Sequence, residues 1–117
     1  MIRFIKAGGV VFVALASCAA IAQTAAPAGD PAKGSQLVQM CQGCHGIPGW
    51  RTAFPEVYKV PKISGQHAGY LVTALKAYKT GERSHPSMRA IAATLSDADM
   101  ANLAAYYAQP DVQTAAK

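Results

Sequence analysis

Cysteine, negative charge and strand-like patterning are all scarce in this chain. Of 117 residues three are cysteine. Two of them fall in one short motif, so Cys18 has no partner within the chain and no disulfide framework is implied. Six Asp and Glu stand against eleven Lys and Arg, yet the basic residues form no run, which argues against a nucleic-acid footprint. No stretch alternates apolar and polar residues in the manner of a strand. The apolar run over residues 7–16 is too short to cross a bilayer as a helix.

What is present is Cys41-Gln42-Gly43-Cys44-His45. Two thiols three positions apart, followed at once by a histidine, form the attachment motif of a c-type haem. Two intervening residues let both sulfurs reach the two vinyl groups of one porphyrin as thioethers. The next residue is delivered to one face of the same ring, where its imidazole can bind iron. A zinc site would need two further ligands at motif spacing. A thioredoxin-like pair would need a βαβ setting. Neither is found, and one covalent haem c is the expected cofactor.

The N-terminus speaks to compartment. Residues 1–6 carry Arg3 and Lys6, residues 7–16 are apolar, and Ala20-Ile21-Ala22 has the A-x-A cleavage pattern. These are the regions of a secretory signal peptide in order. Residues 1–22 are therefore expected to be removed and the mature protein to be periplasmic. Leu15-Ala16-Ser17-Cys18 also resembles a lipobox, which would make Cys18 a lipidated N-terminus. The apolar residues 19–22 that follow are unlike an exposed tether, and cleavage after Ala22 is preferred. Any membrane association is expected only through a partner or such an anchor. Residues 23–29 read as a flexible leader, 30–110 as one monohaem domain and 111–117 as a C-terminal tail. So small a domain has a thin core, to which a porphyrin would add apolar volume.

Without residues 1–22, nine Lys and Arg remain against six acidic residues, a net charge of +3. Residues 51–89 hold seven basic residues against Glu56 and Glu82, a local +5. Residues 90–117 hold Lys117 against Asp97, Asp99 and Asp111, a local −2. Such a dipole steers encounter with an acidic partner surface, although an ordinary solvated surface has similar statistics. Lys59, Lys62, Lys79 and Arg89 are candidates for a positive rim.

The pattern is of helices joined by long loops. Asp30-Pro31 reads as cap and first residue of a helix running to about Met40. Gly43 and Gly46 read as turn residues around the motif. Residues 46–66 contain Pro48, Gly49, Pro55, Pro61 and Gly65 and read as loop. Residues 69–80 read as a helix with an apolar stripe of Leu71, Leu75 and Tyr78, stopped by Gly81. Residues 82–87 read as a polar loop and 88–93 as a short helical turn. Ser96 caps a last helix to about Ala108, with Asp97 and Asp99 in its first turn and Met100, Leu103, Ala104 and Tyr107 as its stripe. The stripes read as core packing. The fold class is all-α, a bundle of about four to five helices around one haem.

The sixth iron position separates a carrier from a catalyst. Met40 adjoins the motif, Met100 lies on a core stripe and His67 reads as a surface or supporting residue. Met88, well separated from His45 and after a Gly- and Pro-containing loop, is favoured by position. His85, three residues earlier, competes with it, and an open site is a third possibility. A thioether would raise the potential and a second imidazole lower it.

The chain resembles the class I cytochromes c, above all the small monohaem c553-like and c4-like domains. The resemblance covers roughly residues 30–108. It rests on the Cys41-x-x-Cys44-His45 motif, on Pro61-Lys62-Ile63-Ser64-Gly65-Gln66, and on the stretch from Tyr70 to Tyr78 with its Gly81-Glu82-Arg83 turn. Met88 followed by Leu95-Ser96-Asp97-x-Asp99 and Tyr106-Tyr107 completes it. It implies thioethers at Cys41 and Cys44 and axial ligation by His45 and Met88. It also implies that the Pro61 carbonyl accepts from the His45 ring, and that the terminal helices cross. The loop over residues 47–60 departs from the shortest members; its Trp50 and Arg51 could serve a propionate or simply pack. The expected function is one-electron transfer by a low-spin haem between redox partner proteins, with no enzyme activity. The alternatives are a relay subunit of a larger oxidoreductase, or a small-ligand binder or peroxidase should methionine be absent from the iron.

Overall fold

The computed structural model describes residues 28–53, 57–110 and 112. The expected signal peptide, Cys18, most of the leader, Phe54, Pro55 and Glu56, and the tail other than Val112 lie outside them.

Asp30 opens the first helix. Its carboxylate accepts from the Ala32 N–H at 2.8 Å and the Lys33 N–H at 3.4 Å, while Pro31 occupies a position that needs no donor. Helix α1 spans Pro31–Leu37 and α2 spans Gln39–His45, with Val38 as the joint. The Cys41 and Gln42 N–H groups both bond to the Val38 carbonyl, at 2.8 and 2.9 Å. These bonds restart the helix and correct the expectation of an end near Met40 and of a turn at Gly43; the turn expected at Gly46 is present. Gly43 is an ordinary helical residue, and Gly46 caps α2 at φ −83°, where a Cβ would meet the Gln42 carbonyl. The whole motif is therefore presented on one rigid turn-and-a-half of helix.

Helix α3, Ala68–Thr80, ends at Gly81, whose φ of 88° is the left-handed conformation of a helix stop. Helix α4 runs Pro86–Thr94 and is a full helix where a short turn was expected. His85 caps it and Pro86 starts it, so Met88 lies in its first turn. Helix α5, Asp97–Tyr107, opens with a reciprocal capping box between Ser96 and Asp99. The loop after α2 folds back on itself: Thr52 N–H donates to the Tyr58 carbonyl and Val60 N–H to the Trp50 carbonyl, each at 2.9 Å. Apart from the single bridge between Arg51 and Lys59 there, the described residues are helix and loop. The all-α expectation holds.

The terminal helices α1 and α5 pack together, and α3 packs on both α4 and α5. Close approach at the first contact depends on Gly34: a methyl there would overlap the Asn102 carbonyl of α5. The Asn102 side chain accepts from the Asp30 N–H at 2.8 Å, tying the start of α1 to α5. Val38, Leu71, Leu95, Met100, Leu103 and Tyr107 form the buried core. Lys79 donates to the Leu95 carbonyl at 2.5 Å, satisfying the end of α4. Among the described residues no helix is long and apolar enough to cross a membrane.

Candidate functional site

The helices leave a cavity of about 460 Å³ between them, within the range of pockets that bury a cofactor. Cys41, Cys44 and His45 enter it from α2, and Met88 enters it from α4. Residues separated by over forty positions are thus gathered at one site. The wall between them is apolar: Leu71 and Leu75 of α3, Ile91 of α4 and Leu103 of α5. The stripes read from the sequence as core packing therefore face the cavity as well.

His45 is held by the loop that follows it. Its Nδ1 lies 2.8 Å from the Pro61 carbonyl oxygen. A carbonyl can only accept, so Nδ1 carries the proton and donates. The neutral ring then has its lone pair on Nε2, the tautomer that a metal requires.

His85 is differently committed. Its Nδ1 accepts from the Met88 N–H at 3.4 Å, capping α4, and its ring lies 5.4 Å from that of Tyr58. In the neutral ring this leaves the proton on Nε2, a donor rather than a ligand. His67 caps α3 and is exposed, outside the cavity lining. Met100 is wholly buried in the core, while Met40 lines the cavity beside the motif.

The two thiols have unlike surroundings. Cys44 is exposed, whereas Cys41 is half-buried and packs against the core. Burial pushes the Cys41 thiol above its ordinary pKa, with the Tyr107 hydroxyl pulling the other way. Tyr107 is 3% exposed and its hydroxyl has no hydrogen-bond partner among the described residues. Burial, then the neighbouring Cys41, raises its pKa. An unpaired buried hydroxyl costs on the order of 1–3 kcal/mol, so the cavity as folded carries an unspent donor.

Sequence reasoning missed the aromatic share of this lining. Tyr58, Tyr70, Tyr78 and Tyr107 all border the cavity. Tyr70 and Tyr78 are eight positions apart on α3 and share the Arg83 guanidinium, which lies 4.8 Å from the Tyr78 ring centroid and 3.4 Å from the Tyr70 hydroxyl. The helical spacing of these tyrosines was the available signal. Trp50 and Arg51 do not line the cavity, and Trp50 is 42% exposed. Of the expected rim, Lys59 and Lys62 border the cavity, and Arg89 borders a neighbouring recess. Lys79 is turned to the Leu95 carbonyl.

The residues present fit a covalent haem: a pair of thiols and a correctly tautomeric imidazole on one helix, an apolar slot, and a thioether on another helix. Comparison with known proteins agrees. The sequence model of a family described as Cytochrome c matches residues 31–109. The chain is 39% identical over 87 residues to cytochrome c-554(548) of Halomonas halodenitrificans, covering 72% of this chain and all of that protein. It is 37% identical over 81 residues to cytochrome c4 of Pseudomonas aeruginosa, 69% of this chain and 38% of that one. It is 38% identical over 97 residues to cytochrome c4 of Thiocapsa roseopersicina, 80% of this chain and 48% of that one. The chain thus spans less than half the length of these two cytochromes c4. It belongs to the cytochrome c family, as a class I c-type cytochrome of the c4 type, a haem-based electron carrier whose cofactor is covalently bound haem c.

Proposed function

We propose that this protein is a periplasmic one-electron shuttle, with haem linked at Cys41 and Cys44 and iron held between His45 and Met88. The observation that carries the reading is the gathering of these four side chains on one apolar cavity, with His45 Nδ1 donating to Pro61. Bound haem supplies a one-electron couple at its iron. The chain supplies the rest. Cys41 and Cys44 fix the ring to α2, so it cannot be lost outside the cell. Pro61 fixes the tautomer and orientation of His45. The Met88 sulfur, on the first turn of α4, offers a soft ligand that favours ferrous iron and closes the site to small molecules. The apolar wall excludes water, and no residue need move or transfer a proton when the charge changes. Lys59 and Lys62 at the cavity edge give an acidic redox partner a place to dock weakly and leave quickly. Export is supported by the charge and apolar pattern of residues 1–22.

Carbon monoxide tests the closed site. The reduced protein at neutral pH is expected to leave its visible spectrum unchanged on addition of the gas, and to cycle reversibly between oxidation states. Rapid formation of a carbonyl adduct would mark an open iron and a ligand-binding function instead.

A further inference from the structure

Tyr107 combines two properties that the carrier function has not used. Its hydroxyl is buried and has no hydrogen-bond partner among the described residues, and it borders the cavity. Phenylalanine would fill the same apolar space, so packing alone does not call for the oxygen. A buried phenol normally gives its proton to something. The backbone around it is fixed, because the Tyr107 carbonyl accepts from the Gly65 N–H at 2.8 Å. Its ring sits edge-on to Tyr106, with centroids 5.1 Å apart and planes at 82°.

Cys41 packs against the buried cluster that contains Tyr107 and borders the same cavity, whereas Cys44 is exposed. A free thiol has its own proton and is a poor acceptor. A thioether sulfur has lone pairs and no proton, so towards a hydroxyl it can only accept. Linking Cys41 to the ring therefore turns its sulfur into the acceptor that Tyr107 lacks.

We infer that Tyr107 is a positioning residue for the buried thioether: its hydroxyl donates to the Cys41 sulfur in the haem-loaded protein, holding that edge of the ring against α5. The inference rests on the proposed link at Cys41. A donor on a sulfur attached to the ring withdraws electron density from it and so stabilises the reduced state. Cys44, facing solvent, has no such partner, and the two links are inequivalent.

The test uses the full haem-loaded protein. The alkaline pyridine spectrum first reports how many thioethers the haem carries; fewer than two would mean that the attachment reading has failed. With two present, proton NMR of the reduced wild type is expected to show a slowly exchanging Tyr107 hydroxyl proton close in space to the Cys41 β-protons. The Tyr107→Phe protein is expected to keep both links and to show a more negative midpoint potential. A wild-type hydroxyl proton that exchanges freely or lies away from Cys41 overturns the inference without recourse to the variant. A folded variant whose potential equals that of wild type overturns it as well.

Discussion

At the scale of single residues, the site works by settling which atom carries a proton. Pro61 commits His45 Nδ1 to donation and so leaves Nε2 for metal. Met88, by contrast, commits His85 Nδ1 to acceptance through its own backbone N–H. Two histidines that look alike in the sequence thus differ: one ring has its lone pair on Nε2, as a metal ligand would need, and the other caps a helix. His85→Ala is accordingly expected to leave the methionine–iron signature of the ferric spectrum intact. It should cost only about 0.5–1 kcal/mol of stability through the weakened cap, as read by chemical unfolding of the holoprotein. Loss of that signature would show His85 on the iron. Cys44→Ala should retain haem through Cys41 alone, seen as a one-link pyridine spectrum.

At the scale of elements, helix ends and one crossing decide the architecture. The Ser96 hydroxyl accepts from the Asp99 N–H at 3.1 Å, and the Asp99 carboxylate accepts from Ser96 in return. The Ser96 hydroxyl and backbone N–H hold the Asp99 pKa below its ordinary value of 3.8. A carboxylate depressed in the folded state stabilises it fully above the ordinary value and ceases to do so as pH falls through the depressed one. Ser96→Ala is therefore expected to be less stable than wild type near neutral pH, with the gap narrowing as pH drops below 3.8. Urea unfolding across that range measures it, and a gap independent of pH would contradict the linkage. At the α1–α5 crossing, alanine is the better helix former by about 1 kcal/mol, yet Gly34→Ala should destabilise by roughly 1–3 kcal/mol because its methyl meets Asn102 backbone. The existence and order of the helices were legible in Asp30-Pro31, Gly81 and Ser96, because caps and stops act locally. The helical setting of the motif was not. Gly43 suggested a turn, but hydrogen bonds to the Val38 carbonyl and burial of Val38 in the core restart the helix, and the turn comes only at Gly46. That His45 and Met88 border one cavity was favoured by the position of Met88 late in the chain and strengthened by the family resemblance, although no local rule links positions so far apart. Tyr107 was read as core because periodicity reports which side a residue faces and not what its hydroxyl meets.

At the scale of the molecule, a small helical shell surrounds a cavity lined largely by apolar and aromatic side chains. Removing haem should expose that lining, and the apoprotein is expected to lose most of its helix signal in circular dichroism; a fully helical apoprotein would mean that the core suffices alone. Lys59 and Lys62 border the cavity, whereas Asp97 and Asp99 open the last helix. Electron exchange with an anionic inorganic reagent should therefore slow as ionic strength rises, and exchange with a cationic one should not. The central claim remains the closed iron site between α2 and α4. It is tested most directly by the far-red absorption that methionine sulfur gives to ferric haem. That band is expected in the wild-type protein and is expected to disappear in Met88→Ala with the covalent haem retained. A wild-type ferric spectrum without the band, or a band that survives in Met88→Ala, would contradict it.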